Sequence, residues 1–323
     1  MLPRRVKGRP ALALAPLARA FLTAAPTAGL TLQCAASVVP HPEKSARGGE
    51  DAMFADEDCG ALGVADGVGG WASSGVDPGI FSRALLRGCH AGLSAHSHAS
   101  QSEEPSLRRA VCAAAEALRQ GREIEGTATL LLAQMAPSGV LQVMNVGDSA
   151  LLTYRMTARE SEGQRRLAPQ LLLRTHEGTH GFNFPHQVSS STLLEECARN
   201  ALEFELLVRP GDVLVAVTDG VTDNVFESHI QAILTAHLED ILNTDTRRCA
   251  RGLEGFASEL ARTANAIGIR QDDPSTRTPF SEQAKMYGFA MEGGKLDDVA
   301  VVCAVVRPSS AGRRPNSALL SNF

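Results

Sequence analysis

Four acidic turns stand at the edges of short apolar runs: Asp66-Gly67, Gly147-Asp148, Asp219-Gly220 and Asp297-Asp298. The run 61–65 leads into Asp66, 141–146 into Asp148 and 213–218 into Asp219, whereas Asp297 and Asp298 come just before 299–306. If the runs are strands of antiparallel sheet, the end of one lies beside the start of its neighbour, and all four acidic sites share one rim. Carboxylates crowded on a rim repel one another and raise one another's pKa, so the rim calls for cations. An all-oxygen donor set selects magnesium or manganese. Two such ions about 3.5–4 Å apart can share and acidify one hydroxide and screen an in-line phosphoryl displacement.

One Asp-Gly pair alone is an ordinary turn. Here Glu50-Asp51, Asp66-Gly67-Val68-Gly69-Gly70, Gly126-Thr127, Gly147-Asp148-Ser149, Thr218-Asp219-Gly220 and Gly294-Lys295-Leu296-Asp297-Asp298 follow one another in a fixed order. In that order and approximate spacing the chain resembles the metal-dependent protein phosphatase 2C family over residues 40–306. The likeness is greatest to its small organellar branch, whose hallmarks resemble Gly67-Val68-Gly69-Gly70-Trp71, Thr179-His180-Gly181-Phe182-Asn183-Phe184-Pro185 and Thr278-Pro279-Phe280.

The resemblance implies a serine/threonine protein phosphatase that attacks phosphoserine and phosphothreonine with a metal-bridging hydroxide. By it, Asp66, Asp219 and Asp297 carry catalysis: Asp66 would bridge both ions, with the Gly67 carbonyl on one and Asp219 and Asp297 on the other. Asp51 and Glu50 would hold metal-bound waters, Glu50 from behind the ligands. Asp148 matches a residue that shares a weaker third ion with Asp219. Asp298 stands where many relatives have Asn and is given a supporting place. Two departures bear on mechanism. Val68 replaces the histidine that many members have after Asp-Gly, so leaving-group protonation must come from water or another residue. Ala46 replaces the phosphate-binding arginine of larger members; Arg47 is the candidate, with Lys44 and His41 as weaker substitutes. Asp223 is read as a helix-start carboxylate, favourable there in its own right.

Two rival readings come from other classes. His176-Glu177-Gly178-Thr179-His180 satisfies the zinc-protease pattern, with His186 where an extended version places a third ligand, but that chemistry needs a helix through the motif. Gly178, Gly181 and Pro185 argue for a loop. The second rival is an inactive phosphatase fold that only binds partners. Retention of Asp66, Asp219 and Asp297 favours activity.

The elements that must position these residues read as α+β. Strands are expected at 61–65, 127–135, 140–146, 150–155, 171–173, 204–208, 213–218 and 299–306, and helices at 78–95, 105–121, 225–242 and 247–267. Residues 94–104 and 272–279 read as loops, with His96 and His98 in solvent. Strands with helices inserted in pairs suggest two packed antiparallel sheets with helices outside, and the resemblance implies the same four-layer α-β-β-α sandwich.

The net charge is −5, with no basic stripe past the first residues, so a nucleic-acid surface is not indicated. Seven scattered cysteines without a Cys-x-x-Cys pair argue against a disulfide framework and for a reducing compartment. No run approaches the length of a membrane span. Residues 1–42 lack Asp and Glu but carry Arg4, Arg5, Lys7, Arg9 and Arg19 among alanine and leucine. Such a start resembles an organellar transit peptide, placed at 1–35, before a catalytic domain at 36–307 and a disordered tail at 308–323. The mitochondrial matrix is the first expectation and the plastid the second. The expected partner is a phosphoprotein substrate, met by a monomer.

Overall fold

The structure, a computed structural model, describes residues 29–99, 106–121, 124–136, 138–161, 164–189, 200–309 and 319–322. Two antiparallel sheets face each other. One is built from β1 (Leu30–Val39), β7 (Ala150–Ser161), β8 (Gln164–Arg174), β13 (Val213–Val217) and β14 (Val299–Pro308), in the order β1-β14-β13-β7-β8. The other holds β2 (Asp51–Asp56), β3 (Ala61–Asp66), β5 (Leu130–Met135), β6 (Val140–Val146), β12 (Leu202–Leu207) and β15 (Leu319–Ser321), in the order β12-β6-β5-β3-β2-β15. Two short pairs complete the strands: β4 (Thr127–Ala128) with β11 (Val188–Ser189), and β9 (Thr179–Gly181) with β10 (Phe184–Pro185).

Why these runs are apolar throughout follows from the layers. In β14, Val299, Val301, Cys303 and Val305 face the helices, while Val302, Ala304 and Val306 face the opposite sheet. In β2, Ala52 and Phe54 face helices and Met53 and Ala55 face the other sheet. Both faces are buried, so a strand here reads as a continuous apolar run rather than an alternating one. Burying one Val, Leu or Phe side chain contributes about 1.5–3 kcal/mol. Helices α1 (Pro78–Ala99) and α2 (Leu107–Gly121) cover the six-stranded sheet. After the single turn α3 (Asp219–Thr222), α4 (Glu227–Ile241) and α5 (Thr246–Gly268) cover the five-stranded sheet. The result is the expected four-layer sandwich.

Several boundaries differ from the sequence reading. β1 pairs along its whole length with β14, from Leu30↔Pro308 to Val39↔Val299, so the folded domain takes in residues ahead of 36. Its acid-free, alanine-containing sequence continues the leader's, which hid it. Residues 319–321, placed in a disordered tail, pair with Phe54–Asp56 of β2. α1 continues to Ala99, through the first part of the expected loop. Pro279–Met286 forms α6, with Pro at its first turn and a capping box between Thr278 and Ser281. The leader up to residue 28 and the side chains of His96 and His98 lie outside the described residues. Among the described residues no helix is long and apolar enough to cross a membrane, and the six cysteines described are free thiols.

Candidate active site

The acidic turns meet at one end of the sandwich and draw on both sheets. Asp51, the first residue of β2, lies directly opposite Asp66, the last of β3. On the other sheet, Ala150 pairs with Val217 and Val217 with Val301, which sets Asp148, Asp219 and Asp297 around neighbouring strand ends. The Gly147-Asp148 turn crosses from β6 of one sheet to β7 of the other. Gly147 makes that turn at φ +112, where an added Cβ would meet the His186 carbonyl at 2.9 Å. At Gly220 an added Cβ would lie 2.0 Å from the Asp298 carbonyl, so only glycine lets α3 approach the start of β14.

Thr218 ties the halves together. Its hydroxyl donates to Asp51 Oδ2 at 2.7 Å and accepts from Ala300 N at 3.0 Å. The Thr129 hydroxyl accepts from Asp66 N at 3.2 Å, and Asn224 holds the loop before β14, donating to the Lys295 carbonyl and accepting from Lys295 N. Side chains at the rim are therefore fixed by bonds to backbone on adjoining elements.

Two ammonium groups enter the acidic cluster. Lys295 Nζ contacts Asp219 Oδ2 and lies 2.7 Å from Asp223 Oδ2 and 3.3 Å from Asp297 Oδ2. Lys44 Nζ lies 2.6 Å from Glu50, 3.0 Å from Asp298 and 3.9 Å from Asp297. Burial works against the Lys44 ammonium, but its bond to Glu50 and the charges of Asp298 and Asp297 outweigh that and hold its pKa up. Lys295 is likewise held up by Asp219, Asp223 and Asp297 against its burial.

These cations do not neutralise the site. Burial, then Asp51, Asp219, Asp297 and Asp148, push the Asp66 carboxyl well above the usual range. Asp51 is raised by burial and by Asp298 and Asp297, against its bond from Thr218. Asp148 is pushed up to about 8 by burial, Asp219 and Asp223. Asp223 rises to about 7, chiefly through burial, with Lys295 opposing. Asp51 Oδ1, Asp148 Oδ1 and Asp219 Oδ1 are buried without any hydrogen-bond partner. A buried carboxylate oxygen left so is costly unless a cation meets it. Oxygen donors, unmet and mutually repelling, fit hard divalent cations.

The structure brings together Glu50, Asp51, Asp66, Gly67, Asp148, Asp219, Asp297 and Asp298. Asp298 accepts from His41 N at 2.8 Å, Glu50 N at 3.2 Å and Lys44, which makes it a brace for the 41–50 segment. Gly67 N donates to the Glu50 carbonyl at 3.2 Å, locking the two acidic pairs in register. Arg47 lies apart, 3.8 Å from Asp77 and half exposed. Lys44, from the same turn, is the cation that faces the carboxylates. Sequence reasoning missed Lys295 and misread Asp223. The signal was present: Asp223 is one helical turn beyond Asp219, which places both on one face.

The zinc-protease motif does not assemble. His176 and Glu177 lie outside any helix, and His180 is in strand β9, where its ring stacks on His186 at 4.1 Å between centroids. Gly178 N donates to the Gly147 carbonyl and His186 N to the Gly178 carbonyl, so this stretch is a loop propped against the Asp148 turn.

A sequence profile described as Protein phosphatase 2C matches residues 45–255, which spans the rim from Glu50 to Asp219. The chain belongs to the protein phosphatase 2C family. Within it, "Probable protein phosphatase 2C BIPP2C1" of Oryza sativa subsp. japonica is 34% identical over 281 residues, covering 87% of this chain and 43% of the relative. The chain spans about half the length of the curated relatives it matches first. A PTC7 homologue of Drosophila virilis is also among its relatives. In three dimensions the chain is similar to the photosystem II phosphatase PBCP, with 26% identity, a TM-score of 0.63 and coverage of 85% and 98% of the two chains. The catalytic domain of the serine threonine protein phosphatase PstP, solved with 2 manganese ions, shares the fold at 18% identity, a TM-score of 0.52 and coverage of 86% and 99%.

Proposed function

We propose that this chain is a manganese- or magnesium-dependent phosphatase of phosphoserine and phosphothreonine in proteins. The observation that carries the reading is the rim itself: Asp51, Asp66, Asp148, Asp219 and Asp297 around one cleft, three of them with unmet buried oxygens. Bound there, two divalent ions would supply an acidified water and screen the phosphoryl charge.

The chain's own residues do the rest. Asp66, Asp219 and Asp297 would hold the ions, with Asp51 and Glu50 behind them on bonds from Thr218 and Lys44. Lys44 and Lys295 are the ammonium groups able to face a phosphate once ions relieve them of the carboxylates. No histidine stands at Val68, so the proton for the leaving serine or threonine would come from water or from another residue at the rim. A third ion shared by Asp148 and Asp219 would compete with Lys295 for the same carboxylate.

The acid-free, arginine-bearing leader supports organellar targeting, with the mitochondrial matrix first and the plastid second. Fusion of residues 1–45 to a fluorescent protein checks this; diffuse cytosolic signal contradicts it. The activity is tested by assaying the full chain on phosphoserine, phosphothreonine and phosphotyrosine peptides. Hydrolysis of the first two in manganese, and none in EDTA, is expected; activity restored by zinc alone contradicts the reading.

A further inference from the structure

The carboxylate cleft has a second wall that metal chemistry does not use. Besides Asp148, Asp219, Thr222 and Asp223, the cleft is lined by Glu177, Thr179, Gly181 and Asn183, in and just before the β9–β10 hairpin, and by Phe280 and Gln283 of α6. The second wall comes from the β9–β10 hairpin and from α6 with the loop that follows it. Phe182, at the hairpin tip, gathers the rings: its centroid lies 5.2 Å from Phe280, 5.6 Å from Tyr287 and 5.2 Å from Phe289.

This wall is anchored to the acidic centre. Phe280 N donates to the Asp223 carbonyl at 3.0 Å, its ring lies 5.7 Å from Lys295 Nζ, and Thr278 Oγ1 donates to the Gly293 carbonyl at 2.7 Å, closing the loop. Yet its outer surface is apolar and open. Eight large hydrophobic residues are strongly exposed among the described residues; two of them, Tyr287 and Phe289, belong to the ring cluster, and Met286, Met291 and Phe184 are their neighbours in sequence on α6, its following loop and the hairpin. Scattered exposed apolar residues need no account, but a concentration rimming a cleft marks a contact surface.

We propose that this aromatic ledge seats an apolar side chain of the phosphoprotein substrate, close in sequence to the phosphorylated residue. The inference rests on the phosphatase reading and names the substrate class for it: phosphoserine or phosphothreonine flanked by an aliphatic or aromatic residue. Continuity chooses the occupant. Phe280 is at once a wall of the carboxylate cleft and a member of the ring cluster, so a chain that places its phosphate at Asp219 runs on over Phe182 and Phe289. Rings tilted on one another at 26–33° give apolar area without a fixed shape, which suits varied apolar side chains rather than one.

The test uses the full chain and phosphothreonine peptides carrying Leu, Phe, Ala or Glu at positions flanking the phosphoresidue. Wild type should favour Leu or Phe over Ala by about tenfold in kcat/KM at one or two positions, expressed in KM. In Tyr287→Ser/Phe289→Ser that preference should collapse toward unity, while manganese-dependent turnover of p-nitrophenyl phosphate, which has no flanking residue, holds. Indifference of wild type to the flanking residue overturns the proposal, as does a preference that survives in the double variant. A manganese-loaded dimer in light scattering that the double variant dissolves also overturns it, in favour of a second copy of this chain as occupant. Peptide binding is read separately by fluorescence anisotropy: apolar-dependent binding without hydrolysis of any substrate removes the phosphatase reading and leaves the ledge.

Discussion

Lys295 Nζ lies 2.7 Å from Asp223 Oδ2, and the same ammonium contacts Asp219 and reaches Asp297. A lysine from the loop before β14 is thus the common counter-ion of carboxylates on α3, at its C-terminal cap and in its own loop. It makes the folded site tolerable without metal.

Lys295→Met should therefore destabilise the metal-free protein. The side chains involved keep about a fifth of their surface or less, and breaking a buried pair costs about 3 kcal/mol at the low end. Thermal unfolding in EDTA checks this, with a clear drop in Tm expected and most of it recovered in manganese. An unchanged Tm in EDTA would show that the cluster needs no ammonium.

The pH dependence of the metal-free protein follows from Asp148 and Asp223, raised to about 8 and about 7. A carboxyl whose folded pKa is above its unfolded value of about 4 favours folding in its protonated form. Its contribution is complete below that value and is lost as pH rises through the folded pKa. Tm in EDTA should fall between about pH 4 and pH 8, and manganese, replacing protons, should flatten the fall at the upper end. A Tm that rises across this window contradicts the assignment.

Thr218→Val keeps the shape and removes the hydroxyl that joins the sheets. Asp51 Oδ2 loses its donor and Ala300 N its acceptor in a buried place. Leaving one such group unmet costs about 1–3 kcal/mol. Denaturant unfolding should show a loss of that size, with weaker manganese binding by calorimetry because Asp51 is no longer held. Wild-type stability together with wild-type metal affinity would remove Thr218 from the support of the site.

His176→Ala and His180→Ala separate the phosphatase from the protease reading. The loop geometry predicts no copurifying zinc in wild type and only a local packing loss in the variants. Stoichiometric zinc that disappears on mutation, together with peptidase activity, would reverse the ranking.

How much of this was legible beforehand depends on what each residue does locally. The strands β13 and β14 were plain, because burial on both faces leaves unbroken apolar runs ending at Asp219 and beginning after Asp298. β1 was not, since an uncharged run that continues the acid-free, alanine-containing stretch after Arg19 carries no contrast. α6 was lost because Pro279 read as loop punctuation, whereas proline at the first turn after a capping threonine starts a helix. Asp223 was misread for a similar reason: a carboxylate near a helix explains itself without a partner. Lys44 reads from sequence only as a weak substitute for the missing arginine and Lys295 has no spacing that announces it; only the fold shows that these residues, far apart in sequence, both reach Asp297. The aromatic ledge joins a hairpin to a loop roughly a hundred residues later, a pairing that no local pattern encodes.

The central claim is that the carboxylate rim holds the metal ions that drive phosphoester hydrolysis, and Asp219→Ala tests it most directly. Asp219 Oδ1 is buried without a partner, and Asp219→Ala would remove a proposed metal ligand at a residue outside the hydrophobic clusters. The measurement is manganese-dependent turnover of a phosphothreonine peptide by the full chain, with the fold checked by near-ultraviolet circular dichroism. The rim predicts a loss of about a thousandfold or more in kcat in a folded protein, as expected when catalysis rests on positioned ions. A folded Asp219→Ala protein that turns over at the wild-type rate would contradict the account.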